Sequence, residues 1–310
     1  MKNTVVSYIH RLAWSFRPFV LGLLSVGCCV SWSQATIAQD SPVASLGKAL
    51  SFHASFDNNA DADFARGDRA IWQATSMNNR DEASKGLPTT GEVKVEKTSG
   101  RFGGAMRFNK SKGPMVYYQT DKNFPAPARN WSATVSFWLS TDPQNELLEG
   151  FCDPIQITSK QWDDAAMFVE FEKRASGIPF RLGVYADKKV WNPTGRNFDD
   201  IPMVERPLAT VEKPPFARGK WTHVAFSIAN FNTDQPNGTA ILYLDGNKVG
   251  ELSSRVQTFT WEPRQAAAML GLNYIGWMDD LAFFDRALSA EEITGLFSLK
   301  DGAKELHSKK

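Results

Sequence analysis

One stretch limits what this chain can fold into more than any other: residues 276–297, GWMDDLAFFDRALSAEEITGLF. From Trp277 to Phe284 it is apolar apart from two carboxylates. Strand alternation sets Trp277, Asp279, Leu281 and Phe283 on one face and Met278, Asp280, Ala282 and Phe284 on the other. Both faces are largely apolar, which describes a central strand covered on both sides. A carboxylate beside Leu281 and Phe283 is costly to desolvate unless it is paired, hydrogen-bonded or bound to a metal, and alternation puts Asp279 there. A helix follows. Ser289 with Glu292 fits a capping box and Leu288 with Ile293 a hydrophobic staple, predicting a helix from Ala290 to near Leu299.

Upstream, period-2 alternation recurs in short runs. Residues 50–56 (LSFHASF), 92–96, 101–109 (RFGGAMRFN), 115–119, 130–140 (NWSATVSFWLS), 167–172 (MFVEFE), 181–186 (RLGVYA) and 220–229 (KWTHVAFSIA) read as strands. In 240–250 (AILYLDGNKVG), Asp245-Gly246 between apolar runs marks a hairpin with a type I′ turn. Residues 71–91 read as polar loop. Roughly ten strands and one helix make the chain all-β, with spacing that suits a sandwich or jelly roll.

Residues 1–38 read as an export signal: Lys2, Arg11 and Arg17 precede an apolar run, 19–30, too short to span a bilayer. Cleavage fits after Ala35 or Ala38; the alternatives are an uncleaved anchor or a lipoprotein at Cys28, where Ser25 departs from the lipobox Leu. Removal takes three basic residues and no acid, leaving 32 basic against 34 acidic residues, a net of −2. No charge run points to nucleic acid or, after cleavage, to a membrane surface. Cys152 is then the one cysteine left, so no intramolecular disulfide forms in the oxidising destination. The expected location is periplasmic, cell-surface or extracellular. The sequence is silent on oligomeric state.

The pieces SFD (55–57), GRFGGAMRF (100–108), ATVSFWLS (133–140), KWTHVAFSI (220–228), ILYLDGNKVG (241–250) and MDDLAFFDRALSAEEI (278–293) resemble, in this order, the laminin-G-like domains of the concanavalin A-like lectin and glucanase class in secreted bacterial proteins. The resemblance implies a jelly-roll β-sandwich of two antiparallel sheets, about six strands each, with one short C-terminal helix over residues 39–300. The long connection 187–219, with five prolines, departs from it and reads as a rim insertion. The tail 301–310 is polar and is expected to fray. The resemblance also implies one structural calcium, with Asp279 as side-chain ligand, Gly103 or Gly104 as carbonyl ligands and Asp57 as a weaker addition. The acidic loop 57–68 lacks EF-hand spacing and reads equally as a turn of Asx caps.

Folds of this kind host hydrolases as well as binding modules. A retaining hydrolase needs two carboxyls roughly 5–5.5 Å apart. Glu170 and Glu172 share a strand face, but Arg174 stands where the E-x-D-x-x-E pattern needs its third acid. The histidines His53, His223 and His307 form no lyase set with Arg and Tyr, and no nucleophile elbow, P-loop or Cys/His cluster is present. The expected function is a non-catalytic module binding a polysaccharide or an extracellular or cell-envelope protein. The candidate ligand residues are Trp162, Asp163, Asp164, Trp191, Asn192 and Arg196, aromatic faces and polar groups flanking the paired strands 167–172 and 181–186. A divergent glycoside hydrolase using Glu170 and Glu172, or a purely structural adhesion domain, is the alternative.

Overall fold

The strands form two antiparallel sheets packed face to face, and the central strands of both are buried along nearly their whole length. The computed structural model describes residues 42–110, 112–125 and 129–309; the predicted signal, 1–38, lies outside them. The first sheet runs Asn247–Arg255, Gly238–Leu244, Thr222–Phe231, Trp131–Ser140, Gly276–Phe284, Leu50–Ala54, Phe64–Ala65. Ala105–Phe108 adds to Gly276–Phe284 and carries Val93–Glu96. The second sheet runs Leu208–Val211, Phe180–Tyr185, Ala166–Lys173, Gly150–Thr158, Ala267–Leu272, Met115–Gln119, Trp72–Ala74, Ser84–Lys85. Nine and eight strands thus replace the expected six and six.

The inner faces interdigitate. Val135, Phe137, Phe226 and Phe283 of the first sheet meet Ile155, Val169, Leu182 and Leu270 of the second in one buried core. The expected hairpin forms between Gly238–Leu244 and Asn247–Arg255, with Asp245 at φ +48 and Gly246 at φ +77. The helix Ala290–Phe297 carries both halves of its capping box, and it covers the outer face of the first sheet, with Ile293 and Leu296 over Ala282 and Phe284.

Four expectations need correction. The tail is ordered: Gly302–Lys309 is a 3-10 helix whose Ala303 and Leu306 are buried against the helix Pro42–Ala49, so the folded unit continues past residue 300. Two residues spaced by three fall on one side of a 3-10 turn, and here both are apolar. The region 71–91 is not loop throughout but holds two short strands and a 3-10 turn. The connection 187–219 contains a helical turn, Lys188–Trp191, and the edge strand Leu208–Val211.

The fourth correction concerns the two acids of the closing strand. The pairing register with Trp131–Ser140 shifts between Asp279 and Ala282, and Asp280 sits at φ +55. This bulge puts Met278 and Leu281, three apart, both into the core. Asp279 therefore does not share the face of Leu281 and Phe283. Asp280 is no sheet-surface acid either: it is buried, 2.7 Å from His53 Nε2, and accepts from the Ala303 amide at 3.0 Å. His53 Nδ1 lies 2.9 Å from His307 Nε2, so the tail is stitched to the first strand.

Candidate functional site

The outer face of the second sheet builds a cleft. In Ala166–Lys173, Met167, Val169 and Phe171 point into the core, which leaves Phe168, Glu170 and Glu172 outside. In Phe180–Tyr185 the same alternation sends out Arg181 and Tyr185. In Gly150–Thr158 it is interrupted. The register with Ala166–Lys173 shifts where Glu170 lies between Ile155 and Cys152. Asp153 and Pro154 bulge opposite it, so Cys152 and Ile155 both face the core while Asp153 turns outward.

Aromatic rings wall this floor. Phe168 stacks on Tyr185 at 5.6 Å. It lies flat across Gly183, where a Cβ would come within 2.3 Å of the ring. Trp162 meets Phe198 edge-on at 5.4 Å, and Phe198 carries the Arg206 guanidinium at 4.2 Å. The exposed Phe151 closes another side, 5.4 Å from Arg181. With Gln156, Asp199, Leu272 and Asn273 they enclose about 540 Å³, a volume in the range of small-molecule sites.

The floor is electrostatically tight. Arg181 donates to Glu170 Oε1 through Nη2 (2.6 Å) and Nε (3.0 Å), and to Glu172 Oε2 through Nη1 (2.7 Å). Burial nevertheless pushes Glu170 up to about 7, against the downward pull of Arg181. Asp153 is held well above the usual carboxylate range, first by burial and then by the neighbouring Glu170. No described residue hydrogen-bonds its carboxylate.

Of the six residues expected to bind ligand, one lines the cleft: Trp162. Trp191 stands behind, edge-on to Tyr185 at 5.0 Å, and donates its indole N–H to the Asp163 carbonyl. Asn192 is buried and closes the turn to Arg196 with two hydrogen bonds. Arg196 forms an exposed pair with Glu205. Asp163 pairs with Lys188, and Asp164 accepts from the Lys188 amide. These five brace the insertion that roofs the cleft; they do not converge on it. The sequence reading omitted Asp153, Tyr185, Phe198 and Arg206, and placed Glu170 and Glu172 only in the hydrolase alternative. Cys152 is buried, its thiol pushed up to about 11, which makes it a packing residue.

The residues implied for calcium meet at a second place. The turn 100–104 is wedged between Asp57 and Asp279. Gly104 N donates to Asp57 Oδ1 at 2.8 Å and Phe102 N to Asp279 Oδ2 at 3.0 Å. A Cβ on Gly103 (φ +137) would stand 2.2 Å from Asp57 Oδ1. Asp279 Oδ1 is buried with no hydrogen bond, and burial, then Asp280 beside it, pushes this carboxyl up to about 8. Gly103 spends its carbonyl on Gly100 N, and the Lys304 ammonium approaches Asp57 at 3.6 Å and the Phe102 carbonyl at 3.5 Å. Asp279 Oδ1 is thus an orphaned carboxylate oxygen at this place, and calcium takes about six to eight oxygen ligands. No group of three or more His, Cys, Asp or Glu that could hold a metal is found among the described residues, and no helix there is long and apolar enough to cross a membrane.

Comparison with known proteins agrees with the two-sheet architecture. No curated protein matches the sequence. Among solved structures, the binding domain of Paraclostridial Mosquitocidal Protein 1 is similar at 12% identity and a TM-score of 0.50, over 81% of this chain and 52% of that one. Domain 4 of AbnA, an extracellular arabinanase from Geobacillus stearothermophilus, in complex with arabinotriose, is similar at 18% identity and a TM-score of 0.48, over 79% of this chain and 97% of that one. The ligand-binding domain of botulinum neurotoxin serotype D, in complex with N-acetylneuraminic acid, follows at 12% identity and a TM-score of 0.45, over 83% and 52%. This chain thus spans about half of either toxin chain, and at 12% identity the likeness to the mosquitocidal protein's domain bears on fold alone. The profile of the concanavalin A-like lectin/glucanases superfamily (Laminin_G_3) matches residues 117–294, more than half of the chain, and the chain belongs to that superfamily.

Proposed function

We propose that this protein is an exported carbohydrate-binding module whose ligand lies in the cleft on the outer face of the second sheet. The observation that carries the reading is the pairing of accessible rings, exposed Trp162 and Phe151 and half-buried Phe198, with a floor of ion-paired groups, Glu170, Glu172 and Arg181, beside Gln156. Sugar rings present apolar C–H faces and hydroxyl edges, and this cleft offers a surface for each. A glycan array probed with residues 39–310 tests it: retention of one glycan class, lost with Phe198→Ala while the melting curve is kept, is the expected result.

A second reading, glycan hydrolysis, is favoured by one observation: Glu170, buried and pushed up to about 7, lies beside Asp153 and Glu172, the environment of a proton-donating carboxyl. Against it, Arg181 engages both glutamates at once. Reducing-end release from a retained glycan, abolished by Glu170→Gln, would establish hydrolysis and displace the first reading.

We also propose that Asp57 and Asp279 hold one calcium ion as a structural clamp between the glycine turn and the closing strand. Chelator should lower the melting temperature of the wild type and leave Asp279→Ala unmoved. A wild type indifferent to chelator removes the proposal.

A further inference from the structure

Gln156 brings an unsatisfied amide to the cleft floor. Ile155 and Ile157 point into the core, so alternation sends Gln156 outward, where it lines the cleft. The register seats it between Phe168 on one neighbouring strand and Met269 on the other, both buried. Gln156 is itself only 7% exposed, and no described residue hydrogen-bonds its side chain. A buried amide without a partner forfeits its hydrogen bonds to water. Both ends are open here, a carbonyl that accepts and an NH2 group that donates. The charges around it cancel. Burial holds Asp153 well above the usual carboxylate range and Glu170 at about 7, so near pH 6 both carry a proton. Glu172 and Asp199 then balance Arg181 and Arg206, and the floor favours neither a cationic nor an anionic ligand.

We infer that the ligand of this cleft is a neutral glycan with two adjacent free hydroxyls, one accepting from the Gln156 NH2 group and the other donating to the Gln156 carbonyl. This rests on the reading of the cleft as a glycan site and makes Gln156 its specificity-determining residue. Each ring hydroxyl both donates and accepts, and the spacing of an adjacent pair matches that of the amide nitrogen and oxygen, so both bonds form nearly straight. A single hydroxyl reaches both ends only through bent bonds. A trans acetamido group turns its N–H and its carbonyl to opposite sides and meets one end. A carboxylate only accepts and an ammonium only donates, so each leaves half of the amide unpaired. Trp162, Phe198 and Phe151 offer apolar faces to the C–H groups of the same sugar.

The test is an array of neutral, N-acetylated, uronic-acid and de-acetylated amino glycans, probed at pH 6 with residues 39–310 as wild type, Gln156→Leu and Trp162→Ala, with a melting curve for each. Wild type should retain neutral glycans. Retention should vanish when the array is first treated with periodate, which cleaves the carbon–carbon bond between adjacent hydroxyl-bearing carbons. Gln156→Leu keeps the side-chain bulk and removes both polar ends. It should weaken binding by about tenfold or more and melt no lower than wild type, since what it removes is a buried amide without a partner. Selective retention of charged glycans, retention that survives periodate, or full retention by Gln156→Leu overturns the inference; where that retention is still lost with Trp162→Ala, the glycan cleft stands. A Gln156→Leu protein that melts well below wild type, or does not fold, also overturns it, because the amide is then part of the free fold. A wild type that retains no glycan overturns both readings.

Discussion

Arg181 Nη2 lies 2.6 Å from Glu170 Oε1, and both side chains are almost wholly withdrawn from solvent. This pair is the keel of the cleft floor. The same guanidinium reaches Glu172, so one cation serves two acids on the neighbouring strand. Breaking a buried pair by removing one member costs about 3–5 kcal/mol, because the charge left behind has no counterion. Arg181→Met should therefore destabilise the fold by that order. Arg181→Met with Glu170→Gln should recover part of the loss, since the orphaned charge is gone. Chemical denaturation of the three proteins checks it; equal losses in the single and double variants would show that the pair matters through packing alone.

His223 gives a pH signature. It is fully buried in Thr222–Phe231, with Nε2 2.9 Å from Ser136 Oγ and Nδ1 unbonded, and burial lowers it to about 4. The unfolded chain takes up a proton near pH 6.5, before the folded one does. The stability contributed by the neutral ring is therefore full above about pH 6.5 and is lost as pH falls toward about 4, up to roughly 3 kcal/mol. Measured against His223→Gln, the wild type should lose stability over that window. Parallel pH profiles would contradict the burial argument.

The tail is structural. Deleting residues 301–310 removes the buried Leu306 and Ala303 and the contact of His307 with His53. Burial of a leucine side chain is worth about 1.5–3 kcal/mol, so truncation should cost about 3 kcal/mol. A truncated chain melting with the full one would return the tail to the frayed state its polarity suggests.

The limits of sequence reading follow from which interactions are local. The capped helix and the Asp245-Gly246 hairpin were legible because each is specified within a few residues; Ser289→Ala should cost the helix about 1 kcal/mol, read by thermal unfolding. The strand Gly150–Thr158 was not legible. Its bulge breaks period-2 alternation at Asp153-Pro154, so no face can be followed through it. The same device at Asp280 inverted the reading of Asp279. Both bulges also set the chemistry, since each turns an acid away from the core. The roofing residues were illegible for another reason. Trp191 and Asn192 have the composition of a sugar platform, but their indole and amide groups are consumed in holding the insertion together. Only the fold shows that Trp162 remains half-exposed over the cleft.

The most direct test of the glycan-cleft account is equilibrium binding of the best array ligand to wild type and Trp162→Ala, with melting curves for both. Trp162 is exposed and braces no core cluster, so its removal should leave stability within about 0.5 kcal/mol while weakening binding by about tenfold or more, the worth of one stacked ring. Unchanged affinity in a folded Trp162→Ala protein would place the ligand elsewhere and contradict the account.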